Sequence, residues 1–402
     1  MSSNNSLLSI DSKIIKYGLE RTFQLLEACD NPHLATECIQ IVGTNGKGSI
    51  SAMLSNVLIK NKYDVGLYTS PHLVDLNERI RFNDQKISNT SIDYFTKKFK
   101  SNITIIQPSF FEIMTVMALE YFKQKKANIA IMETGLGGRL DSVTAVKAKI
   151  LIFTPIDIDH LGLLGNTIEE IAYEKSCAIQ GSTKYIFSSN QKQVVKKILD
   201  KRAKKFKIEI KYLSEKSNFK LNSRHQVSNA RLAYQVLNFL REKNFFKLKT
   251  IKTHLEQTKW PGRIQYISKS PDVIFDVAHN HHSILAFIDY FKTKVSLYKN
   301  CKIIVGFESG KEINQIINQL FLLFDTVTIT ETKIRKSMKA NDIKDICSRN
   351  DLIIKSNPRK ALNDNLKDLK PNDACVILGS HYFGPYINEI FKNCFDINKK
   401  RY

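Results

Sequence analysis

Hydrophobic residues along this chain fall into two alternating patterns. Short continuous apolar runs, rich in Ile and Val, mark strands buried on both faces. They stand at 38–42, 64–69, 128–132, 150–153, 184–188 and 206–212. Between them, apolar residues recur at the i, i+3, i+4 spacing of one-faced helices. These helices are expected at 12–28, 49–60, 88–100, 109–125, 167–179 and 225–242, with a basic helix between the last two strands. The face of 12–28 is Ile14, Ile15, Leu19, Phe23 and Leu26; that of 109–125 is Phe110, Ile113, Met114, Met117 and Tyr121. Strands alternating with helices predict an α/β fold, a mostly parallel sheet with helices on both faces.

The alternation breaks at Lys259-Trp260-Pro261-Gly262-Arg263. Pro beside Gly there predicts a hinge. A second, smaller alternation follows: strand 273–276, helix 282–292, strand 301–306, helix 311–323, strand 326–330, helices 339–347 and 358–368, strand 374–378, helix 382–394. The expected domains are therefore 1–259 and 260–402, the second a smaller Rossmann-like α/β domain.

A chain of 402 residues has room for both. Its hydrophobic content, 43%, is ordinary for a soluble protein. No apolar run approaches the roughly 18 residues of a membrane span. The Ser- and Asn-rich start lacks the basic-then-apolar layout of a signal peptide. A cytoplasmic protein without a membrane partner is expected. The seven cysteines are scattered and form no CxxC pair, so reduced, mostly buried thiols are expected. The formal charge of +22 admits a nucleic-acid binder. The basic residues are spread along the chain, however, and the densest run, Lys196 to Lys207, lies on the basic helix and its exit. With no reading motif beside it, the charge predicts attraction of small anions such as ATP and polycarboxylates, and no nucleic acid.

The chemistry concentrates where strands end. Strand 38–42 runs into Gly43-Thr44-Asn45-Gly46-Lys47-Gly48-Ser49 and then a helix. Strand, Gly-rich turn and helix are the context of a phosphate loop. Backbone N–H groups and the positive helix end face the anion, and Lys47 reaches the terminal phosphates. Two residues separate the first Gly from Gly46-Lys47, where the standard motif has four, and Gly48 stands between Lys47 and Ser49. The plainer reading is a Gly-rich turn with a solvated lysine. In parallel sheets ligands bind beyond the carboxyl ends of the strands. That rule selects Ser70 and His72 after the second strand, Glu133 after the third, and Asp159 and His160 after the fourth. Singly, each fits a turn or a satisfied polar residue; jointly, they fit Mg²⁺ and a triphosphate. His160 is an unusual Mg²⁺ ligand, and by chemistry alone suits Mn²⁺, Zn²⁺ or acid/base work equally. Gly135-Leu136-Gly137-Gly138-Arg139 is either a tight turn or a loop lining a substrate cleft. Asp276 in Asp276-Val277-Ala278-His279-Asn280 can bind a ribose, but the stretch reads as well as a helix start capped by Asn280.

In order along the chain, these segments resemble the folylpolyglutamate synthase/dihydrofolate synthase family of the Mur ligase superfamily. The resemblance rests on Gly43–Ser49, Tyr68-Thr69-Ser70-Pro71-His72-Leu73, Asn77-Glu78-Arg79-Ile80, Phe111-Glu112, Glu133 to Asp141, Asp159-His160, Ile171-Ala172-Tyr173-Glu174-Lys175, Trp260-Pro261-Gly262-Arg263 and Asp276 to Asn280. The short loop is itself the family's form. The resemblance implies a P-loop ATPase domain followed by a glutamate-ligase domain. It implies ATP on Thr44, Asn45, Gly46, Lys47, Gly48 and Ser49, with Asn229, Arg263, Asp276 and His279 as further nucleotide contacts. Two Mg²⁺ ions are implied, on Ser70, Glu133, His160 and Lys175, the last N6-carboxylated so that a cation becomes a ligand. Lys47, Lys175 and His160 would be the catalytic set. Ser109, Leu140, Asp141 and Ser142 lie where the pterin binds. Ser70 replaces Ser49 as the favoured metal ligand. Two stretches depart from the family pattern: Ser142-Val143-Thr144 stands where a Thr-Asn pair is common, and Ser309-Gly310-Lys311-Glu312 where Asp-Lys-Asp is.

The implied reaction joins L-glutamate to dihydropteroate, to tetrahydrofolate, or to both, through an acyl phosphate made from ATP, in a monomer. The rivals are another Mur-type amide ligase acting on cell-wall precursors and a non-catalytic nucleotide- or nucleic-acid-binding protein. The Gly137-Gly138-Arg139-Leu140-Asp141 loop argues for the folate branch.

Overall fold

The computed structural model describes residues 16, 18–334 and 336–397. Ile14 and Ile15 of the first expected helix lie outside them. The chain divides into two compact units. One takes the described residues up to Ile158 with Gly162–Lys220 and Gln226–Thr258; the other takes Asp159–Leu161, Leu221–His225 and the chain from Lys259 on.

In the first unit the strands are β1 (Cys38–Val42), β2 (Val65–Tyr68), β3 (Ile80–Phe82), β4 (Gln85–Lys86), β5 (Ile129–Glu133), β6 (Ile150–Phe153), β7 (Tyr185–Ser188) and β8 (Ile210–Tyr212). They form one sheet in the order β4-β3-β2-β5-β1-β6-β7-β8. The ladder from β2 to β8 is parallel, and β3 and β4 add an antiparallel hairpin at one edge. The helices are α1 (Glu20–Ala28), α2 (Lys47–Lys60), α3 (Asn89–Lys98), α4 (Lys100–Ile106), α5 (Phe110–Gln124), α6 (Ile168–Ser176), α7 (Gln193–Lys205), α8 (Arg224–Glu242) and α9 (Ile251–Glu256).

Every residue of β1, β5 and β6 is buried, as unbroken apolar runs require of a sheet covered on both faces. Gln40 is the polar exception in β1. Its amide donates to Thr134 Oγ1 at 3.1 Å and Thr144 Oγ1 at 3.0 Å, which ties β1 to the segments beyond β5. One face carries α1 and α5, where Leu25 and Leu26 share a core with Ile113, Met114 and Met117. Ser109 and Glu112 form a capping box that starts α5, and Thr167 and Glu170 do the same for α6.

In the second unit β9 (Gln265–Ser268), β10 (Asp272–Asp276), β11 (Cys301–Val305), β12 (Thr326–Ile329), β13 (Ile353–Ile354) and β14 (Ala374–Leu378) form a sheet in the order β13-β12-β11-β14-β10-β9. Only the β9–β10 pair is antiparallel. Helices α10 (His281–Lys292), α11 (Ile317–Phe321), α12 (Ala340–Asp345), α13 (Pro358–Lys367) and α14 (Gly384–Ile390) complete it. Phe291 stacks on Phe287 and Phe324 in its core, at 5.8 and 4.9 Å between ring centroids.

The structure departs from periodicity in identifiable places. The expected helix 88–100 ends at Lys98, and a separate α4 follows. The β3–β4 hairpin is too short to show a period, although its turn residues, Asn83 and Asp84, both take positive φ. Of the expected helix 311–323 only Ile317–Phe321 is α-helical, yet Ile313, Ile316, Ile317 and Leu320 are all buried. Apolar spacing there reflects burial rather than a continuous helix. All seven cysteines are free thiols, five of them buried. Burial pushes the thiols of Cys29, Cys38 and Cys375 up to about 12. Among the described residues, no helix is long and apolar enough to cross a membrane.

Candidate functional site

In the first unit the sheet order places β2, β5, β1 and β6 side by side and parallel. Chain crossovers reverse direction about β1, so the loops beyond these four strands open on one crevice. The Gly43–Ser49 loop, Ser70 and the segment after Phe153 belong to those loops, and Glu133 is the last residue of β5.

The loop leaves β1 at Gly43 and enters α2 at Lys47, two residues earlier than the apolar period indicates. Gly48 and Ser49 are therefore in the helix's first turn, among the N–H groups that have no partner within the helix. Gly46 caps α2 with φ +91°. A Cβ on it would sit 2.7 Å from Asn229 Oδ1, so only glycine fits. The same proximity brings Asn229, on α8, to the loop. Thr44 and Asn45 donate their N–H groups to Pro155 O at 2.9 and 3.3 Å. Thr44 Oγ1 donates to Asp157 O and accepts from Asp157 N–H, both at 3.0 Å. These groups hold the loop in place, and the donors that can face an anion begin after Asn45. Ser49 is buried and its hydroxyl accepts from Gln226 Nε2 at 3.3 Å.

Two lysines converge on the loop. Lys47 Nζ donates to Gly43 O at 3.1 Å and Thr44 O at 3.2 Å. Lys175, buried at the end of α6, donates from Nζ to the same Gly43 O at 2.9 Å. Across β5, the buried Glu133 accepts the Ser70 N–H at 3.1 Å. A carboxylate beside a hydroxyl suits a hard cation such as Mg²⁺, which takes oxygen ligands. Among the described residues no three His, Cys, Asp or Glu side chains group as a metal centre.

The residues expected at the pterin are also in the first unit. Asp141 accepts from Leu136 N–H at 2.8 Å and Val143 N–H at 2.9 Å. Burial raises its carboxyl pKa, against those N–H groups and the Lys47 charge. Ser109 spends its hydroxyl on the α5 cap, accepting from Glu112 N–H. Ser142 Oγ lies 2.6 Å from Thr115 Oγ1. Leu140 is half-buried. The Gly-rich loop beside them is tied to α6 by Arg139, whose Nε donates to Glu174 at 2.9 Å. Arg79 is a buried cation that its motif alone does not explain. It lies 5.3 and 5.4 Å from the ring centroids of Phe110 and Phe111, and its Nε donates to His72 Nδ1 at 3.0 Å.

His160 groups with the second unit, where Asp159 gathers the polar residues. Asp159 Oδ1 accepts from Lys311 Nζ at 2.7 Å and Oδ2 from Asn280 Nδ2 at 3.2 Å. His160 and His279 each bring Nε2 to 3.9 Å from Oδ2. Burial pushes the Asp159 carboxyl up, but His160, Lys311 and His279 together hold it well below the usual carboxylate range. Burial, with Lys311 nearby, pushes His279 down to about 3. Lys311, left uncertain by its departing motif, is thus the ionic partner of Asp159. Asp276 accepts from Ile264 N–H at 2.7 Å and Ala278 N–H at 2.8 Å, and Arg263 lies close enough to oppose the burial that raises its pKa. Asn280 caps α10, as its position suggested. A groove of about 550 Å³ between α7 and β8, lined by Lys196, Lys204 and Lys207, contains none of the candidate residues.

The Mur ligase middle domain model matches residues 41–263, and the Mur ligase glutamate ligase domain matches residues 262–381. The chain is 28% identical to the dihydrofolate synthase/folylpolyglutamate synthase of Bacillus subtilis, over 92% of this chain and 94% of that one. It is 33% identical to the enzyme of the same description from Buchnera aphidicola, over 84% of this chain and 82% of the relative. A Thermotoga maritima folylpolyglutamate synthase structure superposes with a TM-score of 0.79 at 27% identity, covering 97% of this chain and 98% of that one. A Mycobacterium tuberculosis folylpolyglutamate synthase, solved with ADP and AMPPCP, shares the fold with a TM-score of 0.86 at 21% identity, covering 98% of each chain. With the strand–loop–helix and the ordered strand-end residues, these matches show that the chain belongs to the dihydrofolate synthase/folylpolyglutamate synthase family of the Mur ligase superfamily.

Proposed function

We propose that this ATP-dependent ligase joins L-glutamate to a pterin-derived acid. The acceptor is dihydropteroate, giving dihydrofolate, the γ-carboxyl of a tetrahydrofolate, or both. The observation that carries the reading is the convergence of Lys47 and Lys175 on Gly43 O, just past the end of β1, the neighbour of the strand that ends in Glu133. Joining two anions, a carboxylate and a triphosphate, requires concentrated positive charge; Lys47 supplies part of it, and the metal that Ser70, Glu133 and a carboxylated Lys175 would hold supplies the rest. The acceptor carboxylate oxygen attacks the γ-phosphorus and ADP leaves, giving an acyl phosphate. The glutamate amine then attacks the acyl carbon, and inorganic phosphate leaves as the amide forms and a proton is lost. The N–H groups opening α2 and the Lys47 ammonium hold the phosphates. Ser70 and Glu133 hold Mg²⁺, which when bound neutralises charge on the transferring phosphoryl group. Carboxylation of Lys175 and a His160 ligand complete the metal assignment. Asn229, Arg263, Asp276 and His279 are assigned to the nucleotide, and Ser109, Leu140, Asp141 and Ser142 to the pterin. The reading takes a monomer in the cytoplasm as the working form.

Incubation with ATP, Mg²⁺, glutamate and either dihydropteroate or a tetrahydrofolate, with products identified by mass, decides the acceptor. Lys47→Ala should lower turnover by about 10²–10³-fold, the usual effect of losing one charge-stabilising donor, with an unchanged circular-dichroism spectrum. Near-normal turnover would remove Lys47 from the mechanism. Lys175→Ala should be inactive and partly restored by short carboxylates; no restoration at any concentration counts against the carboxylated lysine.

A further inference from the structure

The phosphate loop is braced from outside as well as by Lys47. The Thr44 and Asn45 N–H groups rest on Pro155 O, and Thr44 is locked to Asp157 in both directions. Residues 154–157 therefore form a strap under the loop. Its fit is tight: a Cβ on Gly43 would come 2.0 Å from Thr154 Oγ1 and 2.9 Å from Thr154 O. The strap lies past the end of β6, and Pro155 has no N–H with which to continue a ladder. Thr154 N–H still bonds Val42 O at 2.8 Å, and beyond that residue a side chain must fix it.

Gln191, in the turn between β7 and α7, does so. Its Oε1 accepts the Ile156 N–H at 3.1 Å, and its Nε2 donates to Thr154 O at 3.0 Å. One amide thus grips both peptides flanking Pro155. The grip is itself anchored, because Ser188 Oγ and Ser189 Oγ each lie 3.1 Å from Nε2. The next residue, Lys192, donates from Nζ to Asp157 Oδ1 at 2.7 Å. An amide is the group this place requires, since it must accept on one side and donate on the other.

We infer that Gln191 is a positioning residue for ATP: through the 154–157 strap it sets the register of the Gly43–Ser49 loop on the triphosphate. This rests on the assignment of that loop to the phosphates. Gln191→Glu keeps the size and the acceptor for Ile156 N–H, but turns a carboxylate oxygen toward Thr154 O. Gln191→Ala removes both bonds, and Lys192→Met removes only the outer tie. KM for ATP, KM for glutamate, kcat and the calorimetric Kd for AMPPNP with Mg²⁺ are measured for each, with Lys47→Ala in parallel. The Gln191 variants should raise KM for ATP and Kd for AMPPNP about tenfold or more, as a misplaced binding element does. The glutamate KM should be unchanged and kcat at saturating ATP within about threefold, a split that general loosening of the fold would not give. Lys192→Met should fall between them and the unaltered protein. Folded Gln191→Glu binding AMPPNP within about twofold of normal, while Lys47→Ala loses it, would overturn the positioning role. Retention of nucleotide by Lys47→Ala would instead overturn the loop assignment. Should Gln191→Ala prove insoluble, the Glu variant and Lys192→Met carry the test.

Discussion

Burial, with Arg263 and His282 nearby, pushes the His225 imidazole from 6.5 down to about 4. The folded state therefore keeps it neutral while the unfolded chain protonates it below 6.5. Its stability contribution is complete above that value and is lost as pH falls toward about 4, by no more than about 3 kcal/mol. Melting temperature should fall steeply through that window, and less steeply in His225→Gln; identical slopes would show the titration to lie elsewhere. Asp159 and Lys311 make the sharper case. Their side chains are each 9% exposed and bonded at 2.7 Å. Lys311→Met leaves a buried carboxylate without its ammonium, with Asn280 and the two histidines as remaining neighbours, and should cost up to about 3–5 kcal/mol in denaturant unfolding. Adding Asp159→Asn to it should recover much of that loss, and additivity of the two would contradict the pairing.

Elements show why some of this molecule is legible before folding and some is not. β1, β5 and β6 announce themselves because each is buried on both faces, and the strand-end rule then picks out Lys47, Ser70, Glu133 and Asp159 with no coordinates at all. The start of α2 is hidden, because its first turn is glycine and polar residues chosen by the loop and not by an apolar face. Gln191 and Lys311 are hidden for a different reason. Their partners, Thr154, Ile156 and Asp159, are distant in sequence, and no local period encodes such pairing. Helix caps lie between these cases. Ser109 is expected at the pterin by resemblance alone, and the structure spends its hydroxyl on Glu112 N–H. Ser109→Ala should therefore cost about 1 kcal/mol of stability in chemical denaturation, as lost caps do. A raised KM for the pterin acceptor without that loss would give the hydroxyl to substrate instead.

For the molecule as a whole, the charge of +22 gathers anions without belonging to the crevice. Raising ionic strength from about 0.01 to about 0.15 M shortens the screening length from about 30 to about 8 Å. KM for ATP should rise across that range, because the distant lysines are screened first. A flat response would confine the attraction to the residues that touch ATP. The excess of like charge also strains the compact state, so the same salt should raise the melting temperature.

The rims of the first unit's sheet carry a further consequence. Its outermost strands are β4, two exposed residues ending in Lys86, and β8, three residues with the exposed Lys211 at the centre. A neighbouring chain seeking backbone partners finds only a few unpaired groups at either rim, each beside a cation that resists burial. Continuous buried strands of the kind in β1 and β5 are hazardous when a crowded chain is part-folded. With the rims kept this short, growth of one molecule's sheet into another's is blocked once the eight strands have closed ranks, and Lys211→Val should be enough to turn clear refolding into turbid.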